Sequence, residues 1–341
     1  MHPKENVSLK DYSTMRVGGT AKYFAEVTSE TELVELIEWA NKNKQRTIAI
    51  GGGSNIIWSD KGYDGLVILN RIKGHEIISV DNDKVVVRLA SGEDWDEMVQ
   101  WSVDNKLSGI EQLSWIPGRV GATPVQNVGA YGKEVGDVLV SVRAYDKNKM
   151  GFVEIPKDDC QLGYRTSRFK LSDKGRFIIV SITLELSKEY ASPPFYASLQ
   201  EYFDENKITE FNPENIRRGV IAIRSKKLPD PDIVANNGSF FANPIIDKSK
   251  FDKLKAQFPE IISWPTDDDK IKLSAGWLVE HAGFKDYHDL DTGMATWSKQ
   301  ALVIINENAH STNDVLNFKK KIVDAVQQKY GITLEQEPEL I

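Results

Sequence analysis

The sequence predicts an α+β protein with an α/β start, and three observations carry that reading. Near the N-terminus the runs KYFAEV and TIAI flank a helical stretch, so a parallel strand–helix–strand crossover is the simplest connection. From Val67 to about Leu186 the chain turns strand-rich. Leu228-Pro229-Asp230-Pro231 then breaks it rigidly, ahead of short helices, a strand and one long terminal helix.

Each element has a local reason. Ser29 and Glu32 fit a capping box, and Leu33, Leu36, Ile37 and Ala40 follow at helical spacing. The strands VVVRLASG, VSVRAYD and FIIVSITLEL are interrupted by a helix near Trp95 to Val103. Asn212 reads as an N-cap with Pro213 at the first helical position. Beyond the proline break, helical patterns near Phe251 to Phe258 and Ala275 to Ala282 precede a strand from Ala301 to Asn306. The last helix runs from about Asn313 to Tyr330, with Gly331 as its stop.

Composition narrows the function classes. A net charge of −7 argues against a broad phosphate-backbone footprint, so no nucleic-acid partner is expected. No apolar run is long enough to span a bilayer, and MHPKENVSLKDYS does not look like a secretory signal. A cytoplasmic protein without a membrane partner is therefore expected, and a monomer is the expected state, although the sequence itself does not fix the oligomeric state. Cys160 is the only cysteine, which excludes an internal disulfide and a multi-thiolate metal site. His281 and His288 lack a carboxylate cluster at ligand spacing, so no metal is expected either. Basic residues gather at Arg165, Arg168 and Lys170, and again at Arg217, Arg218, Arg224, Lys226 and Lys227. Each group is a site for a small anion or a solvated face.

Two glycine-rich stretches stand out. Gly51-Gly52-Gly53-Ser54-Asn55 directly follows a strand, and is either a tight turn or a nest of backbone N–H groups for a phosphate. It has neither the Gly-Lys-Ser/Thr of a Walker loop nor the helix of a Rossmann fingerprint. Pro117 to Gly132, PGRVGATPVQNVGAYG, carries too many glycines and prolines for a packed element, so backbone approaching a ligand explains it better. Together they suit a dinucleotide whose diphosphate lies against main-chain amides, with Gln126, Asn127 and Tyr131 at hand. A further serine, Ser239 in ANNGSFFANP, lies outside the G-x-S-x-G elbow of a hydrolase.

GGGSN, IPGRVGATPVQNVGAYG, GYRTSRFK, KLPDP and NNGSFFANP occur in the order and at about the spacing of the UDP-N-acetylenolpyruvoylglucosamine reductase (MurB) family. The chain resembles that family over nearly its whole length, from LKDYSTMRVGG through AGWLVEHAG and QALVIIN to the last helix. The resemblance implies a two-subdomain FAD-binding region of the vanillyl-alcohol-oxidase, or PCMH, type and a C-terminal α+β substrate-binding domain. The corresponding boundaries are 1–70 and 71–228 for the two subdomains, with a class I-like tyrosine loop near 190–200. Residues 229–330 form the substrate domain, and 331–341 a terminal segment with a catalytic glutamate.

The implied activity is NADPH-dependent reduction of UDP-N-acetylglucosamine enolpyruvate to UDP-N-acetylmuramate, through non-covalent FAD, for peptidoglycan. Ser239 matches the family's proton donor, and Arg165 its catalytic arginine. Glu337 falls on the third catalytic position. A glutamine replaces the family proline there, however, and a two-residue slip would put Glu335 in its place. Tyr164, Tyr196, Lys227 and Asn243 match substrate contacts. Gly51, Gly52, Gly53, Ser54, Asn55, Pro117, Gly121, Ala122, Thr123, Asn127, Gly129, Ala130 and Tyr131 are the implied FAD contacts. Two rivals stay open: a related flavoenzyme oxidising an alcohol or sugar, and a nucleotide-sugar binding protein that has lost the chemistry.

Overall fold

The computed structural model describes residues 2–266 and 268–341. They form two compact units. The first comprises the chain up to Val7, Ala21–Gly52 and Asp64–Lys226; the second comprises Ser8–Thr20, Gly53–Tyr63 and Lys227–Ile341. Residues 8–20 and 53–63 thus pack with the C-terminal part of the chain.

In the first unit, the helix Glu30–Lys42 buries Leu33, Leu36, Ile37 and Ala40. Its cap Ser29 accepts the Glu32 N–H at 3.2 Å, and the Glu32 carboxylate reaches back to Thr28, taking its N–H at 2.7 Å and its hydroxyl at 2.9 Å. The helix joins two strands of a four-stranded sheet ordered Lys4–Ser8, Thr20–Val27, Tyr63–Asn70, Thr47–Ile50. The strands on either side of the crossover are not neighbours: Tyr63–Asn70 lies between them, parallel to Thr47–Ile50 with Ile48 opposite Val67. Adjacency is set by which strand best covers the helix, and the linear order does not reveal that.

The five-stranded antiparallel sheet runs Gly151–Pro156, Leu139–Asp146, Phe177–Ser187, Lys84–Ala90, His75–Asp81. Val85, Val87 and Leu89 alternate inward and meet Trp95, Met98 and Val99 of the helix Trp95–Asp104. The edge strand His75–Asp81 is exposed at every residue, so it leaves no half-buried alternation to read. The helix Ala197–Glu205 packs Leu199 and Phe203 onto Ile216, Val220 and Ile223 of the helix Pro213–Lys227. That second helix opens as expected, with Asn212 Oδ1 accepting the Asn215 N–H at 2.9 Å.

The second unit holds a four-stranded antiparallel sheet, ordered Asn236–Ser239, Gln300–Asn306, Met294–Trp297, His288–Asp289. It also holds a three-stranded one, Ile245–Asp247, Lys270–Leu273, Ser263–Pro265. The terminal helix Thr312–Tyr330 buries Val315, Phe318, Ile322 and Val326, and it ends on Gly331 at φ 64°, where the missing Cβ avoids a left-handed penalty. The chain then returns to pair Glu339–Leu340 in parallel with Ile56–Ile57.

Candidate active site

The two glycine-rich stretches meet in the first unit. A Cβ on Gly52 would lie 3.0 Å from Gly118 Cα, and one on Gly51 would lie 3.1 Å from Arg119 Cβ and 3.9 Å from Ala122 Cβ. At Gly52 backbone packs on backbone, so part of the glycine content serves contact between the two stretches, where the sequence suggests approach to a ligand. Gly121 is needed for a different reason: its Cβ would be 2.5 Å from Ser91 Cβ. Thr123 is buried and donates its hydroxyl to Val120 O at 2.8 Å. Asn127 is buried at φ 47°, its amide donating to Glu134 Oε2 (2.6 Å) and Gly163 O (3.3 Å) while its oxygen accepts from Gly136 N (2.9 Å). Thr123 and Asn127 therefore hold the loop's shape.

Gly129–Ala130 pairs antiparallel with Lys133–Glu134 around a two-residue tip, Tyr131-Gly132, at φ 50° and 80°. Positive φ at both positions defines a type I′ hairpin turn. Its Tyr131 ring meets Tyr196 edge-on, with centroids 5.8 Å apart. Burial raises the Tyr131 hydroxyl's pKa, against the opposing pull of Arg224.

Arg165 sits on a second tip. Gly163 and Thr166 exchange hydrogen bonds at 3.0 and 3.2 Å, leaving Tyr164-Arg165 to make the turn with Arg165 at φ 54°. The guanidinium donates to Gly129 O at 2.8 Å and lies 5.3 Å from the Tyr164 ring centroid. The two hairpin tips are thereby tied together. An arginine in the left-handed region is strained by roughly 1–2 kcal/mol, which marks a position held for its side chain's direction.

The basic groups of the sequence separate here. Arg168 pairs with Asp173 at 2.7 Å, and Lys170 donates to Arg165 O at 3.3 Å. Arg217 is bound to Asp96 through two nitrogens at 2.6 and 2.8 Å. Arg224, whose guanidinium shares its surroundings with Tyr131 and Arg165, was not singled out from the sequence. Its signal was its place in the basic run, which does not tell it apart from Arg217.

In the second unit, Ser239 ends the strand Asn236–Ser239 and is exposed, while Phe240 and Phe241 are buried with their rings 5.2 Å apart. Each buried phenyl contributes roughly 2 kcal/mol of transfer free energy, so the aromatics fix which way the serine faces. A bulge between Asn236 and Ser239, with Gly238 at φ 70°, re-aims the strand just before it. Asn237 donates to Thr14 Oγ1 (3.0 Å), Ser54 O (3.1 Å) and Ile56 O (3.3 Å). Gly53, at φ 72°, would put a Cβ 2.3 Å from Tyr12 O.

The terminal segment crosses the same strand. Phe241 bridges Gln336, Ala242 N donates to Glu335 O at 3.0 Å, and Glu337 N donates to Phe240 O at 2.9 Å. Glu337 is half-buried, with Asn55 Nδ2 on its carbonyl at 3.4 Å, whereas Glu335 is exposed. Asn243 Oδ1 accepts from Ala275 N at 2.9 Å, starting the helix Ala275–Val279. Lys227 is exposed at the end of Pro213–Lys227, and Tyr196 caps Ala197–Glu205 at 44% exposure. The 190–200 region is thus partly a helix.

The residues fit a flavin dinucleotide. Buried polar atoms without a partner among the described residues gather around the second glycine stretch: Ser91 Oγ beside Gly121, Gln112 Oε1 beside Tyr131 O, and Thr166 Oγ1 next to Arg165. In the second unit Asn237 Oδ1 is in the same condition. Buried polar atoms left open beside glycine-rich backbone are what a polar ligand completes.

Comparison with known proteins agrees. Residues 21–149 match the FAD binding domain family, so the chain is an FAD-binding flavoprotein whose cradle is neither Walker nor Rossmann. Residues 230–341 match the C-terminal domain of UDP-N-acetylenolpyruvoylglucosamine reductase. UDP-N-acetylenolpyruvoylglucosamine reductase of Flavobacterium johnsoniae is 39% identical over all of both chains. The Pseudomonas aeruginosa protein of that name is 35% identical over 99% of this chain and 98% of its own. The chain belongs to the UDP-N-acetylenolpyruvoylglucosamine reductase family. The crystal structure of the Thermus caldophilus reductase (MurB) shares its fold, with a TM-score of 0.66 at 24% identity over 99% of each chain.

Proposed function

We propose that this protein reduces UDP-N-acetylglucosamine enolpyruvate to UDP-N-acetylmuramate with electrons from NADPH, as a cytoplasmic monomer serving peptidoglycan synthesis. The observation that carries the reading is full-length identity of 35–39% to relatives bearing that enzyme's name. FAD held in this protein would supply the hydride chemistry, linking oxidation of NADPH to reduction at C3 of the enolpyruvyl double bond. Gly51 to Asn55, Pro117, Gly121 to Thr123, Asn127, and Gly129 to Tyr131 would hold it, some by shaping the loop rather than by touching the ligand.

The chain's own groups handle the proton and the charge. Negative charge develops at C2, and the Ser239 hydroxyl gives its proton there, being re-protonated from water. A hydroxyl suffices because the carbanion-like centre is strongly basic and the donor is fixed in advance. Support comes from Ser239 facing outward on an aromatic-backed strand. The Arg165 fork binds the carboxylate conjugated to C2, where charge grows in the transition state. Glu337 stabilises the enolic oxygen; its partial burial and attachment to Phe240 favour it over exposed Glu335. Tyr164, Tyr196, Lys227 and Asn243 hold the UDP-sugar.

Anaerobic stopped-flow tests the reading. NADPH should bleach the flavin, and UDP-N-acetylglucosamine enolpyruvate alone should return the colour. Flavin that stays reduced with that substrate present would refute the substrate assignment.

A further inference from the structure

Arg217 and Arg224 lie seven residues apart on the helix Pro213–Lys227, two turns along and therefore on one face. Their surroundings differ. Arg217 donates to both carboxylate oxygens of Asp96 and, through Nε, to Gln100 Oε1 at 2.6 Å, so its charge is matched. Among the described residues Arg224 has one hydrogen-bond partner, a neutral one: its Nε donates to Trp115 O at 3.2 Å. Both its terminal nitrogens lack a carboxylate among the described residues. The acid within electrostatic reach is Asp96, already gripped by Arg217 and by Trp115 N at 2.5 Å.

Such a guanidinium is costly to desolvate. Burial draws the Arg224 pKa below that of an ordinary arginine, and the nearby Arg165 cation lowers it further. Two like charges are thus kept close enough to act on one another. The backbone locks the pair in place: Arg165 is tied to Gly129 O, Arg224 to Trp115 O, and Gln112, three residues before Trp115, donates to Tyr131 O at 3.3 Å on the same hairpin. A fixed pair of forks with one uncompensated member is complementary to a planar, bidentate anion.

We infer that Arg224 is a second carboxylate-binding residue, which with Arg165 holds the enolpyruvyl carboxylate of the substrate. The inference rests on the proposed substrate and deepens it. It makes recognition of the enolpyruvyl acid, as distinct from the UDP-sugar that carries it, a property of this arginine pair. Bound carboxylate neutralises the repulsion, so both forks hold it more tightly than either would alone.

The test uses the FAD-loaded protein and two ligands: UDP-N-acetylglucosamine enolpyruvate, and UDP-N-acetylglucosamine, which lacks the carboxylate. Dissociation constants come from perturbation of the oxidised flavin's spectrum. Arg224→Gln should weaken the first ligand by roughly 10- to 100-fold and leave the second within about twofold. Arg224→Lys, which keeps charge without the fork, should fall between, and it serves if the glutamine variant loses FAD. Equal weakening of both ligands, or no change in either, overturns the inference. So does an unchanged ligand ratio with a lowered flavin midpoint potential, because the anion would then belong to the flavin. Failure of the wild-type protein to turn over the enolpyruvyl ligand would strike the proposed function instead, since the ratio is measured without turnover.

Discussion

The two units aim their candidate site residues by opposite devices. In the first, Tyr131 and Arg165 ride on two-residue turn tips at φ 50° and 54°, so backbone dihedrals set their direction. In the second, Ser239 and Glu337 lie on extended chain, and the direction comes from register, with Phe240 and Phe241 buried and Glu337 N bonded to Phe240 O. The lesson concerns what each can lose. A register-held side chain is backed by its neighbours, so removing it should leave stability alone. A turn-held one depends on the glycines beside it and on the anchors at the turn's base.

Ser239→Ala is the sharpest way to test the register side. Product formation should fall by about 10²- to 10⁴-fold, the usual worth of a positioned proton donor. Flavin reduction by NADPH should continue at the wild-type rate, and the melting temperature should hardly move. Equal losses in both half-reactions would leave Ser239 without the role of donor. Glu337→Gln should lower turnover by roughly 10²-fold on the same scale, and Glu335→Gln, on the exposed neighbour, by no more than about twofold. The reverse order would mean that the terminal segment works in the other register.

How much of this the sequence could disclose also divides by device. Ser239, Phe240 and Phe241 are readable as polar-out and apolar-in, and the glycine stretches announce close backbone approach. The left-handed turn at Arg165 is not readable, because nothing in Gly163-Tyr164-Arg165-Thr166 demands positive φ at an arginine. Nor are the fates of Arg217 and Arg224 distinguishable along the chain. They are decided by Asp96 and Trp115, more than 100 residues earlier, as the spacings of 121 and 109 positions state. The helix from Ala197 was hidden within a stretch matched to a loop, and the exposed strand His75–Asp81 within a segment with no buried face. Local chemistry was legible, while pairing across the fold was not.

The anchors behind the Arg165 turn give a weaker but still measurable effect. Arg176 grips Asp146 through two nitrogens at 3.0 and 2.7 Å and Asp173 at 3.0 Å, and Asp173 in turn holds Arg168, three residues beyond Arg165. Asp146 is 1% exposed, and the Arg176 hydrogen bonds draw its pKa down to about 2. Because the folded-state value lies below the unfolded one, this acid stabilises the protein above about pH 4, by about 2 kcal/mol, and the contribution disappears as pH falls toward 2. Asp146→Asn should therefore lower the unfolding free energy at neutral pH and flatten its decline between about pH 4 and 2. Urea unfolding at a series of acidic pH values reads both, and parallel curves for the two proteins would dismiss the anchor.

The smallest expected effect isolates the turn device itself. Gly132 has φ 80°, and an added Cβ meets nothing within 4 Å, so Gly132→Ala introduces conformational strain with no collision. The left-handed region costs an L-residue about 1 kcal/mol, enough to lower the melting temperature by roughly 1–2 °C in a protein of this size. Asn tolerates that region better than Ala, so Gly132→Asn should recover most of the loss. If the two substitutions destabilise equally, the tip does not require positive φ, and the difference between the two units reduces to side-chain burial. If Ala alone destabilises, and lowers affinity for the enolpyruvyl ligand as well, the backbone conformation of the Tyr131-Gly132 tip is part of the binding machinery.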